Sequence, residues 1–221
     1  GGILMVATWR DDDITNPDAT SLMAAGIIGG LLTIWAVIQN IRAAIIDVEQ
    51  STKKQDKSFT VNGLLALRES RSRPFWVVWL TALIMVIALE SLSLILGRPA
   101  TSFPIGLDRI EGAGFSAWVL AGVLLIIIRP IAESLVFCGL LYPIFAKLFS
   151  DNLRATFATF ACVAIFYLVQ VFNTDLGWSV LYWGAVYPLV LGLTIAIARA
   201  HTKSTIAAIG VHAMFGTFLY L

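Results

Sequence analysis

An all-α fold, a polytopic bundle of about six transmembrane helices, is what this sequence predicts, on three observations. Hydrophobic residues make up 58% of the 221 positions and charged residues 13%, where a soluble domain carries about 25% charged and about 45–50% apolar residues. The apolar residues fall in runs long enough to cross a bilayer, which takes about 20 residues. The basic residues are distributed unevenly between the connecting segments. The net charge is +1 and forms no basic stripe, so nucleic acid is not an expected partner; the bilayer is.

Residues 1–19 form an outer N-terminal segment with Asp11, Asp12, Asp13 and Asp18. The first span covers 20–46 and contains Gly26-Ile-Ile-Gly29-Gly30, a small-residue face that allows close helix approach. The loop 47–74 is the long soluble piece. It is polar at 47–58, then mildly amphipathic at Leu64, Leu65 and Leu67, which predicts a solvated connector or a segment lying along the cytoplasmic surface. The second span, 75–97, opens on the interfacial aromatics Trp76 and Trp79 and carries Glu90. These two spans make an N-terminal unit, 20–112, and the remaining 113–221 makes a four-helix membrane core.

That core begins with a run, 113–149, too long for one upright span and interrupted by Arg129-Pro130 and Glu133. It is either one long kinked helix or two shorter segments. Three more runs follow at 155–173, 178–199 and 204–221, with Trp178 and Trp183 near the outer end of the fifth. Basic residues decide between the readings of 113–149. If it crosses once and the amino terminus is outside, the inner loops hold Arg42, Lys53, Lys54, Lys57, Arg68, Arg71, Arg73, Lys147, Arg154, Arg199 and Lys203. The outer segments hold only Arg10, Arg98 and Arg109, and Arg129 stays in the membrane. Two crossings would exchange the later loops and weaken the asymmetry, so the positive-inside rule selects six spans with loop 47–74 in the cytoplasm. The expected location is the inner or plasma membrane of a bacterium or organelle.

Cys138 and Cys162 both lie inside apolar runs, which argues against a disulfide framework or a zinc site. His201, beside Arg199 and Lys203, reads as a solvated loop residue. The informative polar residues are those inside the runs: Glu90, Arg129, Glu133, Gln170 and His212. A charge at mid-bilayer costs about 2.5–3.5 kcal/mol even on the lenient insertion scale, so such residues mark function or a structural pairing. Arg129 and Glu133 are four apart and share a helix face, as an ion pair requires. Glu90 is a candidate to join them.

The segment Pro130-Ile-Ala-Glu133-Ser134-Leu-Val-Phe137-Cys138-Gly139 resembles the first motif of the CAAX protease and bacteriocin-processing (CPBP, or Abi) family, Glu-Glu-x-x-x-Arg. Phe166-Tyr-Leu-Val-Gln170 matches the place of its Phe-x-x-x-His motif, and His212-Ala-Met-Phe-Gly216 that of His-x-x-x-Asn. The three occur in family order over residues 113–221. The resemblance implies a cavity within the membrane where one Glu acts as general base on water while His and Asn groups hold the scissile carbonyl.

Of the family's six polar positions this chain keeps Glu133 and His212. The second Glu is Ser134, the Arg is Cys138, the first His is Gln170 and the Asn is Gly216. Glutamine cannot shuttle a proton, a thiol cannot hold a carboxylate as a guanidinium fork does, and glycine supplies no oxyanion donor. The first expectation is therefore a pseudoenzyme, an accessory or structural subunit packing against other integral membrane proteins. In it Arg129 compensates for the lost Arg and keeps Glu133 neutralised. The alternative is an active intramembrane endopeptidase using Glu133 and His212, with Gln170 in support and Glu90 or Arg129 as substitutes, on a prenylated or leader-type peptide. A third reading takes Ala208-Ile-Gly-Val-His212, which resembles the Ala-x-x-x-His element of antenna helices, as a chlorophyll ligand; otherwise no cofactor or metal is expected. A fourth is a proton pathway through Glu90 and Glu133.

Overall fold

The computed structural model describes residues 19–51, 65–67, 75–96, 114–171 and 186–220, without the side chains of a few residues within helices. All regular structure among these residues is helical, in six rods: α1 (Ala19–Ser51), α2 (Phe75–Leu96), α3 (Gly114–Phe149), α4 (Asn152–Val171), α5 (Tyr187–Thr202) and α6 (Thr205–Tyr220). By length and composition alone, Thr20–Ile46 of α1 and all of α3 could cross a membrane. Shorter apolar stretches occupy Trp76–Leu92, Asn152–Leu168 and Thr205–Phe218. The outer faces carry large apolar side chains, among them Trp35, Trp76, Ile84, Leu94 and Phe157, all exposed. Apolar surface on that scale belongs against lipid or protein rather than water.

The run 113–149 is one helix of 36 residues, which at about 1.5 Å per residue gives a rod of about 50 Å. It changes pitch twice. Over Val123–Ile128 and Leu135–Leu141 the turns widen to i→i−5 bonding, as in Arg129 N–H to the Leu124 carbonyl and Tyr142 N–H to the Phe137 carbonyl. Each wide stretch runs directly into a proline, Pro130 or Pro143. Proline offers no N–H and its ring collides with the carbonyl four residues back; a widened turn relieves the collision without ending the helix. The kink written in Arg129-Pro130 is thus spread over two wide turns.

Short reversals join the later rods. Ser150, with φ 53°, ends α3, and Asp151 caps α4 by accepting the Leu153 N–H at 2.9 Å. Lys203, with φ 54°, ends α5 and returns its N–H to the Arg199 carbonyl. Both reversals hold the basic side chains Lys147, Arg154 and Lys203 at rod ends, as the charge distribution predicts.

Glycines set the closest approaches. A Cβ on Gly26 would stand 2.8 Å from Leu124, and one on Gly30 would stand 2.3 Å from Ile128. The small-residue face of α1 is therefore filled by α3 of the same chain and is not free for a partner helix. On α6, a Cβ at Gly216 would fall 2.1 Å from the Leu125 carbonyl oxygen and 3.0 Å from its carbon. Here two backbones touch, and the contact lies on the first wide turn of α3. Tyr187 of α5 donates its hydroxyl to the Phe215 carbonyl at 2.8 Å, one residue before this contact.

The described part of the loop 47–74 departs from expectation. Leu65 is not at a surface. It is fully buried among Val37 and Ile41 of α1 and Leu135 of α3. The helix of α1 also runs on to Ser51, beyond the predicted boundary at 46. Of the apolar positions Leu64, Leu65 and Leu67, the last two meet the bundle rather than the bilayer surface, and Leu64 lies outside the described residues. Trp178 and Trp183 lie outside the described residues, as does the beginning of the predicted fifth span.

Candidate functional site

Between its two wide stretches α3 has one regular turn, Arg129–Ser134, and the polar cluster is built on it. Four residues apart on that turn, the Arg129 Nε donates to Glu133 Oε1 at 2.8 Å. The Tyr167 hydroxyl of α4 donates to Glu133 Oε2. The Arg129 guanidinium also lies over the Tyr167 ring, 5.2 Å from its centre, an arrangement that favours a cation against the ring face. His212 of α6 approaches from the other side, with Nε2 at 3.6 Å from Glu133 Oε2 and Nδ1 at 3.4 Å from Ser134 Oγ. Ser134 and His212 are buried. The predicted pairing of Arg129 with Glu133 is present, and Glu90 is not among the partners of Glu133.

The positions that depart from the motif have definite surroundings. Cys138 is fully buried, its thiol 3.8 Å from the Ile195 carbonyl. Its own carbonyl accepts from Arg199 Nε of α5 at 3.0 Å, and the Arg199 guanidinium lies 5.0 Å from the centre of the Tyr142 ring. A cation therefore stands beside Cys138, but it comes from another helix and donates to the Cys138 backbone. Arg199 is buried, 7% exposed, where the sequence placed it in an inner loop. Gly216 faces the Leu125 carbonyl so closely that no side chain fits there. Gln170 is on α4, one turn beyond Tyr167, and its side chain lies outside the described residues.

Chemically the cluster is a neutralised carboxylate. One oxygen of Glu133 is held by a guanidinium, the other by a phenol, and the imidazole is beyond hydrogen-bond range of it. Each carboxylate oxygen has two lone pairs, and one on each oxygen of Glu133 is engaged within the protein. Both nitrogens of His212 face side-chain oxygens of this chain. Among the described residues no three His, Cys, Asp or Glu side chains gather to hold a metal ion, and Cys138 and Cys162 are free thiols.

Two members of the site escaped the sequence. Tyr167 immediately follows Phe166, which the motif alignment singled out; its signal was the spacing of three from Gln170, which puts both on one helix face. Arg199 looked like a topology charge because it sits near Lys203 at a helix end. Only packing shows its side chain turning inward.

No curated protein and no solved structure matches the chain. A family model does match, over residues 115–218, which contain α3 from its second residue to α6: Type II CAAX prenyl endopeptidase Rce1-like. This is the family, within the CPBP group of integral membrane proteins, that the three ordered segments resembled. With its polar cluster spread over the helices that this match spans, the segment 115–218 is similar to the Rce1-like type II CAAX prenyl endopeptidase family.

Proposed function

We propose that this chain is a multi-pass membrane protein of that family, with six spans, that does not hydrolyse peptides and serves as an accessory or structural subunit of a membrane protein complex. The observation that carries the reading is the filled space at Gly216. The family places an oxyanion donor at this position, and here it is pressed against the Leu125 backbone. Losing one such donor costs about 10²–10³ in rate, and Arg129 and Tyr167 each hold one oxygen of Glu133 besides. The remaining network is a part-buried ion pair that fixes α3 against α4 and α6.

Support for six spans comes from the rods and the charges together. Leu65 brings together the C-terminal half of α1, the wide turns of α3 and the start of α6. Lys203 therefore lies at the end of the bundle towards which Arg42 and Lys147 run, and the positive-inside rule makes that end cytoplasmic. The amino terminus is then outside.

The subunit role predicts an outcome on isolation. Extracted in mild detergent and passed through gel filtration, the protein should elute with stoichiometric membrane partners identifiable by mass spectrometry. An absorption spectrum on the same fraction tests the pigment reading of His212. A chain that elutes alone and without pigment sinks both the subunit and the antenna assignments.

A further inference from the structure

Leu65 and Ala66 are held in the bundle by more than apolar contact. The Thr205 hydroxyl donates to the Leu65 carbonyl at 2.6 Å, and the Thr205 N–H donates to the Ala66 carbonyl at 3.0 Å. The first N–H groups of a helix have no partner within it, so this short segment supplies an acceptor to α6 where it begins. Ala66 adopts φ 50°, in the left-handed region that side chains disfavour, and the two flanking hydrogen bonds hold it there. The Leu65 side chain enters the junction of α1, α3 and α6. Its Cδ2 stands 3.0 Å from where a Cβ of Gly139 would be, with the Thr205 methyl and Leu135 beside it.

Above Leu65 the seam between α3 and α6 is lined by small residues. Gly139 and Thr205 flank the leucine, Ala208 follows one turn on, and Ser134 meets His212 two turns above Thr205. Remove the leucine and the narrow side chains leave a gap at the foot of this seam. We infer that residues 65–67 are a strap that closes the seam between α3 and α6 at its basic end, and that releasing the strap opens a path from that end to the Ser134–His212 pair. The strap is fastened by two hydrogen bonds and the packing of Leu65, with Ala66 and Leu67 beside it, and it can leave without unfolding a helix. It ties residues 65–67 directly to the helix that carries His212. A partner that displaces residues 65–67 therefore acts on the polar cluster.

The test is thiol accessibility in detergent micelles, which needs no assumption about topology or activity. Ser134→Cys is introduced into a chain carrying Cys138→Ala and Cys162→Ala, and its reaction with a polar maleimide is followed with time. With the strap in place the reporter reacts slowly. Leu65→Ala should accelerate labelling on the order of tenfold, because local opening sets the rate at a buried site. Thr205→Val, which keeps the side chain's shape and removes its donated hydrogen bond, should accelerate it by a smaller factor. If Leu65→Ala does not elute as a folded species, Thr205→Val carries the test alone. Equal rates in the parent and in a folded variant overturn the inference, as does a parent reporter that reacts as fast as the denatured chain.

Discussion

Gly216→Ala is expected to lower the stability of the bundle by about 3 kcal/mol or more, the upper range for overpacking a core. The added methyl would stand 2.1 Å from the Leu125 carbonyl oxygen, far inside contact distance. The obstacle is backbone, so it cannot swing aside as a side-chain tip would. Relief requires α6 to move away from the first wide turn of α3, which would also disturb the Tyr187 hydroxyl on the Phe215 carbonyl. Gly216→Asn, which restores the family's residue, should fare worse, since the amide has no space at all. Thermal unfolding in detergent reads the effect, with Gly122→Ala as the comparison. Its methyl would meet only the Tyr220 ring, at 3.3 Å, and should cost about 1 kcal/mol or less. A Gly216→Ala protein that melts with its parent would show that the two backbones are not in contact.

The second large effect is expected at the ion pair. Arg129→Met leaves the Glu133 carboxylate with a phenol as its remaining donor, in surroundings that do not solvate a charge. Glu133→Gln strands the Arg129 guanidinium in the same way. Breaking one side of a fully buried pair costs about 3–5 kcal/mol, whereas removing both partners is often neutral or nearly so; this pair is part-buried, so each single loss should fall at the lower end of that range. The double variant Arg129→Met/Glu133→Gln should therefore be more stable than the two single losses added together, and more stable than either single variant. Thermal unfolding of the four proteins closes the cycle. Additive losses, or no loss at Arg129→Met, would show that the two side chains do not depend on each other.

Much of this architecture was legible in the residues because it follows from one-dimensional patterns. Each apolar run has a rod among the described residues, Arg129 and Glu133 met because helices bring i and i+4 together, and Gly26 and Gly30 marked a close helix approach. What stayed hidden depends on three-dimensional packing. That the partner of Gly26 and Gly30 is α3 of the same chain is not written in α1. The wide turns before Pro130 and Pro143, which keep a 36-residue helix continuous, are not written in the apolar pattern. Leu65 carries no mark that separates a surface leucine from a buried one, and its place is set by Gly139 and Thr205 more than seventy positions away in sequence. Gly216 read as a lost donor; the structure adds that the space for a donor is itself gone. Tyr167 and Arg199 are missed for the same reason, since which face of a helix turns inward is decided by its neighbours.

We propose that Glu133 holds the bundle together and does not activate water. Cleavage of a prenylated or leader-type peptide by the purified protein tests it most directly, with Glu133→Gln prepared alongside. The account predicts that the parent releases no more product than the variant. Cleavage that requires Glu133 would contradict it and return the cluster to the chemistry of its family.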